Sequence, residues 1–114
     1  MSRNQDVQAV LPLHPLEFRI LLVLLAGPSH GYEIVRRVEA LEPSGTVYPA
    51  NLYRRIRDLQ AKGLVAELPV SRAPEATRRR YLEVTALGRR VARAEAARLQ
   101  ELVDAARASN LLPT

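Results

Sequence analysis

The order of its helical and extended patterns predicts that this sequence folds as a winged helix-turn-helix. This is a mainly α (α+β) fold with a two-stranded basic wing, here followed by a long C-terminal dimerisation helix. Residues 14–63 hold three stretches with helical apolar periodicity, separated by turns that contain proline and glycine. Two short extended runs with an arginine-rich return follow at residues 64–84, and an alanine-rich helical pattern fills residues 86–109.

The composition limits what this chain contains. Its 114 residues suffice for one small domain, and with 47% apolar but only 4% aromatic residues its core must be aliphatic. Cysteine is absent, which excludes disulfides, thiolate metal sites and cysteine nucleophiles. Neither a run of about 18 apolar residues nor a secretory signal pattern occurs, so we expect a cytoplasmic protein without a membrane span.

Patterns typical of catalysis and metal binding are also lacking. The two histidines, His14 and His30, stand beside no nucleophile or carboxylate pair at a useful spacing. Gly27 and Gly31 flank a helix junction and form no phosphate-binding loop, and the Ser29-His30 pair is more simply a helix start. We therefore expect no enzyme and no bound metal or cofactor.

The positive charge is concentrated in the middle third of the chain. The net charge is +5, from 17 basic and 12 acidic residues. Residues 46–80 hold eight basic and three acidic side chains, a balance of +5, whereas residues 1–45 sum to −1 and residues 81–114 to +1. Such a local excess is typical of a surface that binds a polyanion. A basic face that contacts only solvent is the alternative.

Apolar residues at helical spacing place the first two helices. The first is expected over His14–Leu25 and is apolar nearly all round, so it must be buried on several sides. The second is expected to begin at an N-cap Ser29 and to run to about Leu41. Its inner stripe comprises Ile34, Val38 and Leu41.

The third helix is predicted to begin near Pro49 and to end at Gly63, a residue suited to a left-handed C-cap. At about 100° per residue, Leu52, Ile56 and Leu59 lie within roughly 60° of one another and form an inward stripe. The opposite side carries arginine and small residues, so one face can dock while the other is offered to a partner.

The outward face of this third helix matches what DNA contact requires. A small start lets a helix end approach base edges, Asn51 can pair with adenine, and arginine binds guanine or phosphate. Which arginine reads bases stays open, as do local roles for Asn51 at the helix start and for Tyr53 at the helix edge. The predicted contacts are Tyr48, Pro49, Ala50, Asn51, Tyr53, Arg54 and Arg57.

A basic hairpin is predicted next. Its strands are expected over Leu64–Val70 and Arg78–Val84, joined by a loop over Ser71–Thr77. Arginine on such a wing can contact the DNA backbone or enter the minor groove. The alternative is that the charges protect an edge strand from aggregation. The arginines concerned are Arg72, Arg78, Arg79 and Arg80.

The last helix, capped by Thr85, is apolar over about 200° of its circumference, twice what packing within one domain typically needs. Glu95 and Arg98 interrupt this surface and can pair with each other or across subunits. Since the first helix also has apolar surface to spare, we expect a homodimer. The predicted dimer contacts are Leu16, Phe18, Leu22, Val91, Leu99, Leu102 and Val103.

The chain is accordingly divided into four parts. Residues 1–13 are expected to form a flexible N-terminal arm, because they are polar and then bounded by proline. Residues 14–85 form the winged helix-turn-helix domain, residues 86–109 the dimerisation helix, and residues 110–114 a tail.

Three stretches of the sequence occur in the order and spacing of the PadR family of bacterial transcriptional regulators, which the chain resembles. They are HGYEIVRRVE (30–39), NLYRRIRDLQAKGLV (51–65) and RRRYLEVTALGRR (78–90). The resemblance covers residues 16–103. It implies a dimeric repressor that binds double-stranded DNA and is released by a small hydrophobic effector. It also implies the short form of the family, in which one C-terminal helix packs on the first helix of the partner.

Two departures from the family pattern bear on function. Relatives often read Ser-Pro-Gly-Thr where this chain has Tyr48-Pro49-Ala50-Asn51, so its DNA sequence preference is expected to differ from theirs. Tryptophan, on which some short members stack ligands, is absent. Phe18 is the one candidate for effector contact, with core packing as the alternative. The rival function is a winged-helix protein–protein interaction module without specific DNA binding.

Overall fold

The computed structural model describes residues 7–42, 44, 46–69 and 80–113, and these residues form a winged helix-turn-helix. Strand β3 lies in the middle of a three-stranded antiparallel sheet, between β1 and β2. This arrangement confirms the predicted fold class. The elements are α1 (Pro15–Leu25), β1 (Ser29–His30), α2 (Gly31–Ala40), α3 (Pro49–Ala61), β2 (Val65–Glu67), β3 (Tyr81–Val84) and α4 (Ala86–Ala108).

Helix α1 is the centre of the fold, because it contacts α2, α3, α4 and β3. Its apolar composition on nearly every side is what such a position requires. The core around it is aliphatic, as the composition predicts. Its fully buried members include Ile20, Leu21, Ile34, Val38, Leu52, Leu59, Leu64 and Val91.

The start of α2 differs from the prediction. Ser29 is not the N-cap but a buried residue of β1, paired with Leu82 of β3. The N-cap is His30, whose Nδ1 accepts the N–H of Glu33 at 3.3 Å. The hydroxyl of Ser29 instead donates to Glu33 Oε1 at 2.9 Å and accepts from Arg37 at 2.7 Å. Pairing with β3 satisfies backbone groups at this sheet edge, and it displaces the cap by one residue.

Two further sequence expectations are wrong. Leu41, expected in the core, is the C-cap of α2 and is 48% exposed, because the helix ends at Ala40. The expected flexible arm does not extend over residues 7–13. Val7 and Leu13 are buried in the core there, because this segment carries enough apolar surface to pack. Residues 1–6 lie outside the described residues.

Helix α3 ends at Ala61 with Lys62 as its C-cap, two residues before the predicted end, and Gly63 follows in the predicted left-handed conformation with a φ of +76°. The N–H of Leu64 returns to the carbonyl of Leu59 at 2.9 Å and starts the wing. The wing strands are shorter than predicted, at Val65–Glu67 and Tyr81–Val84. The predicted loop Ser71–Thr77 lies outside the described residues.

Helix α4 begins at the predicted cap, since the hydroxyl of Thr85 accepts the N–H of Gly88 at 3.0 Å. The same hydroxyl donates to the carbonyl of Gly63 at 2.7 Å, which ties α4 to the end of α3. Glu95 pairs with Arg98 within the chain, which is one of the two predicted alternatives. Arg98 Nε and Nη2 each donate to one oxygen of this buried carboxylate at 2.8 Å. These bonds hold the pKa of Glu95 below its ordinary value.

The beginning of α1 is joined to the end of α3 by a buried carboxylate. Glu17, 2% exposed, accepts the backbone N–H of His14 at 3.0 Å and the ammonium of Lys62 at 3.0 Å. The ring of His14 completes the cap by accepting the N–H of Leu16 at 3.0 Å. None of the helices in the described ranges is both long enough and apolar enough to cross a lipid bilayer.

We predict that Gly88→Ala destabilises the fold, although glycine to alanine inside a helix ordinarily stabilises by about 0.5–1 kcal/mol. A Cβ at Gly88 would meet the backbone oxygen of Leu64 and lie 2.7 Å from Val84 Cγ1. Overpacking costs about 1–3 kcal/mol, and a clash with backbone falls in the upper part of that range, so the net loss should be about 1–2.5 kcal/mol. Urea unfolding measures this loss of free energy. Ala97→Gly, at an exposed site of α4, is the control that measures the difference in helix propensity between alanine and glycine alone. A more stable Gly88→Ala variant would contradict the packing described.

We also predict that acidification weakens the fold through His14. Burial, followed by the positive charge of Arg55, holds the pKa of His14 below its ordinary 6.5. Between the two pKa values the unfolded chain binds more protons, so this stabilisation is complete above pH 6.5 and is lost as the pH falls through the folded pKa.

The matched variant for this test is His14→Asn, because asparagine caps a helix without titrating. Unfolding free energies measured from about pH 7.5 to about pH 5.5 should fall more steeply for the natural chain than for His14→Asn. If the free energies of unfolding of the two proteins fall in parallel as the pH decreases, protonation of His14 does not weaken the fold.

Candidate nucleic-acid interface

The inner stripe of α3 sets which of its side chains face solvent. Leu52, Ile56 and Leu59 are buried, as the periodicity predicts. The exposed residues at the start of α3 and on its sides away from this stripe form what we call the outer face of α3. Its members are Tyr48, Pro49, Ala50, Asn51, Tyr53, Arg54 and Arg57.

The arginines of α3 fall into two kinds. Arg55 lies on the flank towards α1, is largely buried and approaches Asp58 at 3.9 Å. Arg54 and Arg57 are exposed on the outer face, and within the described part of the chain neither pairs with a carboxylate. Two guanidinium groups are thus available to an external anion.

The start of α3 is open to approach. Pro49 occupies the first turn and needs no hydrogen-bond partner, and the side chain of the N-cap residue Tyr48 makes no capping bond. Asn51 is exposed, and its side chain forms no hydrogen bond with other described residues. This does not support the alternative that Asn51 serves a local role at the helix start. The positive end of the helix dipole therefore faces solvent beside a free amide side chain.

A cleft of about 250 Å³ lies between α3 and the wing, and we call it the α3–wing cleft. It brings Arg57 of α3 and Arg80 at the start of β3 onto one surface, as the predicted arrangement requires. Arg80 also contacts Glu67 of β2 at 3.4 Å. The described lining residues are Gly31, Tyr53, Ile56, Arg57, Gln60, Glu67, Arg80 and Leu82.

Gly31 was not among the residues predicted for this surface. A Cβ there would lie 2.8 Å from Tyr53 Cε1, so any other residue would displace the phenol ring from the start of α2. The sequence signal was the glycine between His30 and Tyr32, but its partner on α3 could not be read from the chain. Gly31 therefore positions Tyr53 at the rim of the α3–wing cleft.

Helix α2 adds two further side chains outside the predicted set. Tyr32 and Arg36 are exposed along an open groove of about 530 Å³ on this helix. Arg37, in the same groove, approaches Glu33 at 3.8 Å, whereas Arg36 pairs with no carboxylate of the described residues. In helix-turn-helix proteins the helix before the recognition helix crosses the DNA backbone, so Arg36 is a candidate phosphate contact.

The remaining predicted wing residues, Arg72, Arg78 and Arg79, lie outside the described residues. Only Arg80 of the predicted wing set is described, and its side chain is 84% exposed.

The predicted dimer surface is partly available. Leu22 and Leu102 are 42% and 55% exposed, whereas Val91 is fully buried within one chain and offers no surface to a partner. The other predicted contacts, Leu16, Phe18, Leu99 and Val103, are half-buried. A cleft of about 380 Å³ opens beside Phe18, between α1 and α4, and we call it the α1–α4 cleft.

Comparison with known proteins agrees with this architecture. The sequence profile described as "Transcriptional regulator PadR-like family" matches residues 20–94. The fold is similar to that of a PadR family transcription regulator from Clostridium difficile, with a TM-score of 0.72 and 16% identity over 82% of this chain and 96% of that chain. It is also similar to the transcriptional regulator BldR from Sulfolobus solfataricus, with a TM-score of 0.67 and 23% identity over 90% of this chain and 66% of that chain.

A third similar structure is a ZitR mutant from Lactococcus lactis in complex with DNA, with a TM-score of 0.59 and 20% identity over 88% of this chain and 62% of that chain. A separate comparison with curated proteins found no match. At these identities the similarity to solved structures shows the fold alone. The family profile covers well over half of the sequence, and the chain therefore belongs to the PadR-like family of transcriptional regulators.

Proposed function

We propose that the chain is a homodimeric repressor in the cytoplasm that binds a specific double-stranded DNA site through the outer face of α3. One observation carries the proposal. The buried stripe of α3 leaves Asn51, Arg54 and Arg57 exposed on one face, and the described residues provide no carboxylate partner for them. A face of unpaired donors on a rigidly docked helix is suited to the major groove.

The two parts of this face have different roles in the proposal. Ala50 and Asn51, at the helix start, approach base edges, because small residues allow close contact and asparagine can pair with adenine. Arg54, about one turn further along the helix, and Arg57, about two turns further, bind guanine or the backbone. Tyr48-Pro49-Ala50-Asn51 replaces the Ser-Pro-Gly-Thr frequent in relatives, so the preferred DNA sequence should differ from theirs at the bases nearest this turn.

The wing and α2 extend the contact to the DNA backbone. Arg80 shares the α3–wing cleft with Arg57, and Tyr53 lies at its rim. Arg36 is placed to meet the backbone from α2. Arg72, Arg78 and Arg79 remain predicted contacts of the wing.

Dimerisation supplies the second half-site. Leu22, Phe18 and Leu99 line the α1–α4 cleft, and the exposed Leu102 follows Leu99 by about one turn of α4. A second subunit is proposed to cover these apolar side chains. The α1–α4 cleft beside Phe18 falls in the size range of small-molecule sites, so a small hydrophobic effector that releases DNA is proposed to bind there. Two-fold symmetry predicts an operator with half-sites about 34 Å apart, or a multiple of that spacing.

Replacing Arg54 and Arg57 together by alanine is predicted to weaken binding to promoter DNA from the gene's own locus at least a hundredfold, without unfolding the chain. Each arginine removed should also lower the slope of log affinity against log salt concentration by about 1. Fluorescence anisotropy with labelled duplex over a salt series measures both quantities.

Arg55→Ala is the control for each single replacement, Arg54→Ala or Arg57→Ala, because it removes one positive charge from the same helix but from the flank facing α1. It should change affinity by less than about tenfold. An equal loss for Arg55→Ala, or unchanged binding by the double variant, would mean that another face binds DNA. Absence of binding by the natural chain at low salt would favour the protein-interaction alternative.

The dimer is tested by Leu102→Glu, which places a charge on the proposed interface. Analytical ultracentrifugation should show the natural chain at twice the chain mass and the variant shifted towards monomer. Leu111→Glu, at a position 76% exposed beyond the end of α4, serves as the control and should stay dimeric. A natural chain that sediments as a monomer at micromolar concentration would contradict the dimer.

A further inference from the structure

The α3–wing cleft carries charges of opposite sign. Arg57 and Arg80 line it, and so does Glu67, the one carboxylate among its described lining residues. Glu67 and Arg80 approach to 3.4 Å, with side chains 50% and 84% exposed. An exposed pair of this kind contributes little to stability, so folding does not require an acid at this position.

The other polar groups of the cleft can donate hydrogen bonds. The hydroxyl of Tyr53, held against Gly31, and the side-chain amide of Gln60 stand beside the two guanidinium groups. Guanidinium, phenol and amide donors together are the chemistry that binds a phosphodiester. Glu67 is the only described lining group whose charge repels that ligand.

We propose that Glu67 competes with the DNA backbone for Arg80, so that it limits how tightly this chain holds DNA. The proposal rests on the proposed function. In the free protein the carboxylate of Glu67 occupies Arg80. When a backbone phosphate enters the cleft it takes Arg80 over, and Glu67 is left beside a like charge.

The competition has a direct consequence for affinity. Binding must break one ion pair and bring a phosphate near a carboxylate, and both effects oppose association in the natural chain. A substitution that removes the charge of Glu67 but keeps its shape would abolish both the cost of breaking the ion pair and the repulsion of the phosphate. Because the groups are exposed, salt screens the effect, which is therefore largest at low ionic strength.

Glu67→Gln tests the proposal. The variant should bind promoter DNA about threefold to tenfold more tightly at about 100 mM salt, because one charge close to a phosphate is removed. Its slope of log affinity against log salt should be steeper than that of the natural chain, because the gain is screened as the salt concentration rises. Glu101→Gln on α4, an equal charge change at an exposed site away from the cleft, should leave both quantities unchanged.

A double-mutant cycle separates competition for Arg80 from a general charge effect. In an Arg80→Ala background, Glu67→Gln should increase the affinity for DNA by less than half of the free energy that it gains in the natural chain. The reason is that Arg80 is absent, so Glu67 can no longer compete for it. A full gain in that background, or an equal gain from Glu101→Gln, would overturn the proposal. Unfolding curves of each variant establish that affinity, not stability, has changed.

The outcomes also distinguish this inference from the proposed function. A natural chain that binds DNA, together with a Glu67→Gln variant of unchanged or weaker affinity, overturns the competition alone. A natural chain that binds no DNA at low salt overturns both.

Discussion

The docking of α3 through Leu52, Ile56 and Leu59 is the interaction on which the rest of the structure depends. Burial of each side chain contributes roughly 1.5–3 kcal/mol, and together they approach the net stability of a small domain, about 5–15 kcal/mol. Exposed arginine contributes little to folding by comparison. The orientation of α3 is therefore set by its apolar stripe, and its outer face is free to carry charges that folding does not need.

Polar links hold the end of α3 and leave its start open. Lys62, just after the helix, reaches the buried carboxylate of Glu17 on α1, and the hydroxyl of Thr85 binds the carbonyl of Gly63. At the opposite end the side chain of Tyr48 makes no capping bond. The helix is thus fixed where it meets the core and exposed where it would meet DNA. The same division recurs in the wing, where buried Leu82 and Val84 hold β3 and Arg80 precedes it in solvent.

Local signals made much of this fold predictable. The stripe of α3, the left-handed Gly63 that follows this helix and the cap at Thr85 each depend on residues within one or two helical turns. The features that could not be predicted are non-local. Pairing of Ser29 with Leu82 joins residues far apart in the chain, and Glu17 meets Lys62 across 45 positions.

The outer face of α3 followed from periodicity alone, but the contact of Gly31 with Tyr53 needed the packing of α2 against α3. The burial of Val91 likewise depends on how α4 meets the core, and the helical pattern could not separate its inner side from its outer side. Where the apolar surface of one helix serves both its own domain and a partner, sequence periodicity alone cannot divide it between them.

Contact between DNA and the outer face of α3 can be observed residue by residue with amide chemical-shift mapping. Titrating promoter duplex into isotope-labelled protein should shift the signals of residues 48–57 and Arg80 most strongly. Signals from the solvent-facing part of α4 at residues 104–108 should change least. Large shifts in α4 with none at residues 48–57 would show that α3 is not the DNA-binding helix and would contradict the account.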